Sequence, residues 1–172
     1  MALKEEWFDV VDESDRVISK ALRKDVHAKR LLHRAIHVFV FNKAGEIFLQ
    51  KRSLLKDMCP GLWDSSCSGH VDSGEDYDTA APRELGEELG IKLSVLIKRW
   101  FYLEACDQTG REFVWVYVLK HEGPFVLHPE EIETGRWYSP AELNQRIVQN
   151  EAEFSPAFLH IWRTASRMLK PD

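Results

Sequence analysis

The segment from Gly69 to Ile91, GHVDSGEDYDTAAPRELGEELGI, constrains the fold more than any other stretch of the chain. It predicts a helix from about Asp76 to Leu89, stopped by Gly90. On that helix Glu84, Glu87 and Glu88 stand at i, i+3 and i+4, so three carboxylates share one face. Leu85 and Leu89 lie on another face, where they can anchor the helix to a sheet. Acids this close raise one another's pKa unless divalent cations neutralise them, and all-oxygen donors favour Mg²⁺ or Mn²⁺ over zinc. Pro82 cannot donate to the Asp78 carbonyl and its ring clashes there, which predicts a helix that is kinked, or begins late, near Pro82.

The rest of the chain supplies the sheet. Trp7–Val11 and Arg16–Leu22 read as an N-terminal β-hairpin around a polar turn, followed by a charged lead-in, Arg23–Arg30. Ala35–Phe41 is β-branched and aromatic enough for a central strand, with Glu46–Arg52 as its hairpin partner. A short segment, Trp63–Ser68, precedes the acidic helix; strands over Leu93–Ala105 and Glu112–Lys120 follow it. Ser139-Pro140 and Ser155-Pro156 each open a helix with a capping serine and proline at the first helical position. In the second, Phe158, Ile161 and Trp162 should face the core. Helices before, within and after a mixed set of strands imply an α/β sandwich, with residues 1–172 as a single domain.

Charge sharpens this reading. The 28 acids exceed the 23 Lys and Arg by five, yet seven acids and a single base, Arg83, fall between Asp72 and Glu88. Outside that window 22 bases balance 21 acids, so no basic footprint marks a nucleic-acid partner. Cys59, Cys67 and Cys106 form no even framework, which suits a reducing compartment. The start, MALKEEWFDV, has no targeting pattern and no run approaches the roughly 20 apolar residues that span a bilayer, so the expectation is cytoplasmic, without a membrane partner.

The segment carries Gly69, Glu75, Arg83, Glu84, Leu85, Glu87, Glu88, Gly90 and Ile91 at the spacing Gly-x5-Glu-x7-Arg-Glu-U-x-Glu-Glu-x-Gly-U, and so resembles the Nudix box at every fixed position. The resemblance implies an α/β/α sandwich and hydrolysis of a nucleoside diphosphate linked to another moiety, with Mg²⁺ or Mn²⁺. It implies Glu84, Glu87 and Glu88 as metal ligands, joined by the Ser68 carbonyl. One carboxylate of this set, with Glu84 as an example, would be able to act as base, and Glu75 would orient Arg83. Homodimers are common in this superfamily.

The resemblance extends along nearly the whole chain to isopentenyl-diphosphate isomerase, a Nudix-fold enzyme that moves a double bond. His33-Arg34-Ala35, Leu49-Gln-Lys-Arg-Ser53, Lys56, Pro60-Gly61-Leu62-Trp63 and Ser66-Cys67-Ser68-Gly69-His70 carry it. Ser68, however, stands where the isomerase has its catalytic cysteine. The isomerase's strand-borne glutamates align with Phe113 and Trp115, and of its metal histidines His33 and His70 stand in place while His27 is one residue out of register. Incomplete isomerase chemistry beside a complete box favours hydrolysis, with the isomerase and a non-catalytic ligand-binding domain as alternatives.

By the same resemblance Lys51, Arg52 and Lys56 would contact a diphosphate, and His33 and His70 would meet phosphate or metal, though lysines on strand ends are often merely solvated. Cys67 reads as a small buried residue. Trp63, Trp100 and Trp115 lie nearest the expected pocket, but strand aromatics mostly build core. A distal carboxylate completing the metal set would come from Pro129–Glu133, as Glu131 or Glu133.

Overall fold

The computed structural model describes residues 5–92 and 97–169. Strands β1 (Trp7–Val11) and β2 (Val17–Leu22) pair antiparallel as a separate hairpin, and a short helix α1 (Arg23–Ala28) follows. The helix occupies the charged lead-in, where Val26 alone is apolar and buried, so no hydrophobic period announces it. Then come β3 (His33–Phe41), β4 (Ile47–Arg52), β5 (Trp63–Asp64), β6 (Cys67–His70) and α2 (Tyr77–Leu89). After these come β7 (Lys98–Leu103), β8 (Glu112–Lys120), β9 (Ile132–Tyr138), α3 (Pro140–Gln149) and α4 (Pro156–Met168). The expected strand from Leu93 is shorter than predicted; its first part, 93–96, lies outside the described residues.

The mixed sheet is built around a fork. β3 pairs along its whole length with parallel β8, but it meets β4 only at Val40–Phe48 and Phe41–Ile47. Beyond that point the two strands part, and β6 takes β3 while β5 takes β4. Ser66 bridges the fork, its hydroxyl donating to the Phe48 carbonyl and accepting from the Val40 amide. β9 covers the other edge of β4 and went unanticipated, because Gly135 interrupts its apolar pattern. That glycine packs against Phe48, whose ring a Cβ would overlap.

Alternation along β3 feeds two cores. Ile36, Val38 and Val40 pack with Ala80, Ala81, Leu85 and Leu89 of α2. Ala35 and Phe39 pack with Leu143 of α3 and with Phe158, Ile161 and Trp162 of α4. These α4 side chains face the core as expected, and each large one stabilises the layer by roughly 1.5–3 kcal/mol. Helix α2 departs from expectation: it begins at Tyr77 and continues through Pro82. The Asp76 carboxylate caps it by accepting from the Thr79 amide, and fully buried Ala80, Ala81 and Leu85 hold it against the sheet on both sides of the missing hydrogen bond.

Candidate functional site

The loop before α2 and the helix itself are tied together by one guanidinium. Arg83 donates to Glu75 through Nε (2.9 Å) and Nη2 (2.8 Å), to the His70 carbonyl (3.0 Å), and through Nη1 to Glu84 (2.8 Å) and Glu87 (3.3 Å). Glu75, and then Glu84, hold Arg83 firmly in its charged form. Glu84 lies over Gly69, where a Cβ would overlap its carboxyl group. Gly90 closes the helix in a left-handed conformation, and a Cβ there would come within 2.9 Å of Val126.

Glu88 is buried, with its Oε2 accepting from the Gln50 amide (2.8 Å) and the Ser68 backbone N–H (3.1 Å). Burial, opposed by these donors, pushes its pKa up to about 7. Burial and then the neighbouring Glu88 push Glu84 up to about 8. Glu87 extends toward solvent. Three carboxylates on one face, two of them ill at ease as bare anions, fit a hard divalent cation.

A second group of donors lies on the other face of β6. His27 Nε2 is 3.3 Å from His70 Nε2, which is 3.0 Å from Glu112 Oε1; His33 Nε2 is 3.4 Å from that same oxygen and has no hydrogen-bond partner. One donor atom from each of the four residues lies within 4.8 Å of the others. Burial lowers His70 and takes His27 to about 4, so both are neutral imidazoles. Burial alone would raise Glu112, but His33 and His70 hold it well below the usual carboxylate range. Three imidazoles and a carboxylate, with the buried His33 Nε2 left without a hydrogen bond among the described residues, fit a divalent transition metal. Phe8 of the hairpin stacks on His70 at 4.4 Å and covers the group.

Two sequence expectations are corrected here. His27 is in place, because α1 absorbs the one-residue offset. The acid beside the histidines is Glu112, which pairs in register with His33, whereas Phe113 and Trp115 are misplaced by the alignment. A slip of one residue exchanges the faces of a strand: Trp115 packs toward the α2 core, and Phe113 stacks on Tyr102.

A cleft of about 940 Å³ joins both groups and is lined by Ser68, His70, Arg83, Glu84, Glu87, Glu88 and Glu112 among others. Arg52 and Lys56 reach it, the first held by the Met58 carbonyl and Asp64, the second by Glu131. Lys51 does not line it; its ammonium pairs with Glu133 at 3.0 Å, while Glu131 does line it. His33 sits behind the wall, 1% exposed. Cys67 is fully buried, with its thiol pKa pushed up by burial and then by Glu88. Trp63, Trp100 and Trp115 pack on Tyr138, Phe39 and Tyr102, and Trp7 is the tryptophan that borders the cleft among the described residues. Gln50 and His37 are not among the expected site residues; the fork in the sheet brings Gln50 to Glu88 and His37 to the cleft.

The family model described as NUDIX domain matches residues 31–158. An uncharacterized Nudix hydrolase of Yersinia pestis is 38% identical over 165 residues, covering 92% of this chain and 86% of its own. The isopentenyl-diphosphate Delta-isomerase of Serratia proteamaculans is 33% identical over 162 residues, covering 92% and 90%. Among solved structures, DR0079 from Deinococcus radiodurans superposes with a TM-score of 0.80 and 28% identity, over 96% of this chain and all of its own. The chain belongs to the NUDIX domain family, in its isopentenyl-diphosphate-isomerase-like branch.

Proposed function

We propose that the chain is a divalent-metal-dependent pyrophosphohydrolase that cleaves a nucleoside di- or triphosphate or a related small diphosphate. The observation that carries this reading is the pair Glu84 and Glu88, half-buried and buried beside the cleft, with burial pushing both carboxyls up, to about 8 and about 7, and Glu88 adding to the rise at Glu84. With Glu87 and the Ser68 carbonyl they would hold Mg²⁺ or Mn²⁺. When bound, the ion supplies charge neutralisation for the diphosphate and a lowered pKa for water.

The chain's own residues then have distinct tasks. Glu84, which lies over Gly69 and is oriented by Arg83, takes the proton from the attacking water. Gln50 and the Ser68 amide fix Glu88, and Glu75 fixes Arg83, which in turn sets the direction of Glu84. Arg52, Lys56 and His70 face the cleft where phosphate oxygens would lie. The test is a ³¹P NMR and phosphate-release screen of nucleoside di- and triphosphates, nucleotide sugars and isopentenyl diphosphate, with Mg²⁺ and then Mn²⁺. Glu88→Gln should abolish turnover of the best substrate while the protein stays folded; full turnover in that variant refutes the reading.

The group His27, His33, His70 and Glu112 favours a second reading, the isomerase. Against it stands Ser68, which puts a hydroxyl where that enzyme carries its catalytic thiol. Incubation with isopentenyl diphosphate separates the two: the dimethylallyl isomer supports isomerisation, and release of phosphate supports hydrolysis.

A further inference from the structure

His37 belongs to neither carboxylate nor metal group, yet it lines the same cleft. It is 4% exposed on the central strand, on the face shared by Ala35 and Phe39, and sits opposite Ser68 in the β3–β6 register. Its Nδ1 is 2.6 Å from the Ser65 hydroxyl and 3.7 Å from Asp64 Oδ1. The Ser65 hydroxyl also contacts two acceptors, the Cys67 carbonyl (3.3 Å) and Asp64 Oδ1 (3.4 Å). The Asp64 carboxylate beside Nδ1 favours the tautomer with its proton there, and the Ser65 hydroxyl can accept that proton while giving its own to the Cys67 carbonyl or Asp64. An ordinary imidazole is already mostly neutral at pH 7.5. Nε2 is therefore a lone-pair acceptor and the ring nitrogen left for the cleft.

The surroundings define what can dock there. Asp64 lies on one side and Glu112 on the same face of the neighbouring strand, both acceptors, and Arg52 is drawn to Asp64 at 3.6 Å. At Nε2 itself a phosphate oxygen would face a lone pair with no proton to share, and Arg52 and Lys56 are the cations the cleft offers it instead. A hydroxyl or N–H brings the proton the site lacks, and Ser68 across the strand pair offers a hydroxyl to the same group. A hydrocarbon leaves the lone pair desolvated and unpaired.

We propose that His37 is a specificity-determining residue whose Nε2 accepts a hydrogen bond from a hydroxyl of the group attached to the diphosphate, selecting sugar-bearing over hydrocarbon diphosphates. This rests on the diphosphate-binding reading of the cleft, and it is tested by binding as well as by turnover.

Two variants divide the ring between them. His37→Asn keeps a donor near Nδ1 for Ser65 but has nothing at the Nε2 position; His37→Gln keeps an acceptor near Nε2 and gives up the Ser65 bond. Titration calorimetry with Ca²⁺ in place of Mg²⁺ follows ADP-ribose and isopentenyl diphosphate. The wild type should bind ADP-ribose more tightly. Asn should weaken ADP-ribose about tenfold or more, the scale of one hydrogen bond, and leave isopentenyl diphosphate within about twofold, whereas Gln should retain most of the affinity. The proposal is overturned if Asn binds ADP-ribose like the wild type, if Asn loses both ligands equally, if Gln fails where Asn succeeds, or if the wild type does not prefer ADP-ribose. Absence of hydrolysis with Mg²⁺ beside the expected binding pattern would refute the hydrolase and leave His37's role standing.

Discussion

Replacing Glu88 by glutamine should stabilise the metal-free protein in alkaline solution and leave it unchanged in acid. The carboxyl has an ordinary value of 4.5, which applies to the unfolded chain, and about 7 in the folded protein, where burial outweighs the Gln50 and Ser68 donors. Below pH 4.5 both states are protonated and folding costs nothing at this site. Between 4.5 and 7 the unfolded chain ionises first, so stability falls as pH rises, and above 7 the full cost is present. At about 1.4 kcal/mol per pH unit the cost reaches roughly 3 kcal/mol, or about 6–12 °C of melting temperature for a chain of this size. Glutamine keeps the shape and an acceptor for Gln50 and Ser68 without the charge. Scanning calorimetry in chelator from pH 5 to 9 should show the variant and wild type diverging as pH rises; groups away from position 88, such as His27 and His70, act in both and cancel, while Glu84, relieved of its neighbour's charge, widens the gap in the same direction. Mg²⁺ at pH 8.5 should raise the wild type's melting temperature and close the gap. Parallel stability curves across that range would refute the claim that Glu88 is strained as an anion, and with it the physical case for a cation beside it.

Three further outcomes follow from contacts on the same face and its neighbours. Gly69→Ala forces the Glu84 carboxyl aside, so phosphate release should fall about 100-fold while the melting temperature changes little. His27→Ala removes one of four donors and should weaken Mn²⁺ or Zn²⁺ binding, read by calorimetry, at least about tenfold; unchanged affinity would show that the group is only a hydrogen-bonded cluster. Gly135→Ala drives a methyl into the Phe48 ring and should cost about 1–3 kcal/mol in urea unfolding, with activity retained in the folded fraction.

What is legible in the sequence is local. The helix α2, its stop at Gly90 and the shared face of Glu84, Glu87 and Glu88 follow from helical periodicity within 23 residues, and the pairing of Glu75 with Arg83 follows from the resemblance carried by the same segment. What is not legible depends on parity and on distant register. Lys51 and Arg52 are neighbours on a strand and leave on opposite sides, so a basic pair in the sequence becomes one cation in the cleft and one paired with Glu133. Glu112 acquires its place only from the parallel register with His33, 79 residues earlier. β9 hides behind Gly135, and α1 behind its charges, yet α1 delivers the fourth member of the histidine group.

The short strand β6 explains why hydrolase and isomerase features coexist. Its alternation sends Cys67 and Gly69 toward α2, where Gly69 leaves room for Glu84, and sends Ser68 and His70 toward β3 residues His37 and His33. The Ser68 amide meanwhile donates to Glu88, so a single residue touches the carboxylate group with its backbone and the cleft with its side chain. A change at position 68 can therefore alter the group presented to substrate without disturbing the backbone that positions Glu88. The two donor groups need not compete for the scaffold: they divide over the two faces of four residues, with the Ser68 side chain and its cross-strand partner His37 on the face of the histidine group and Gly69 on the face of the carboxylates.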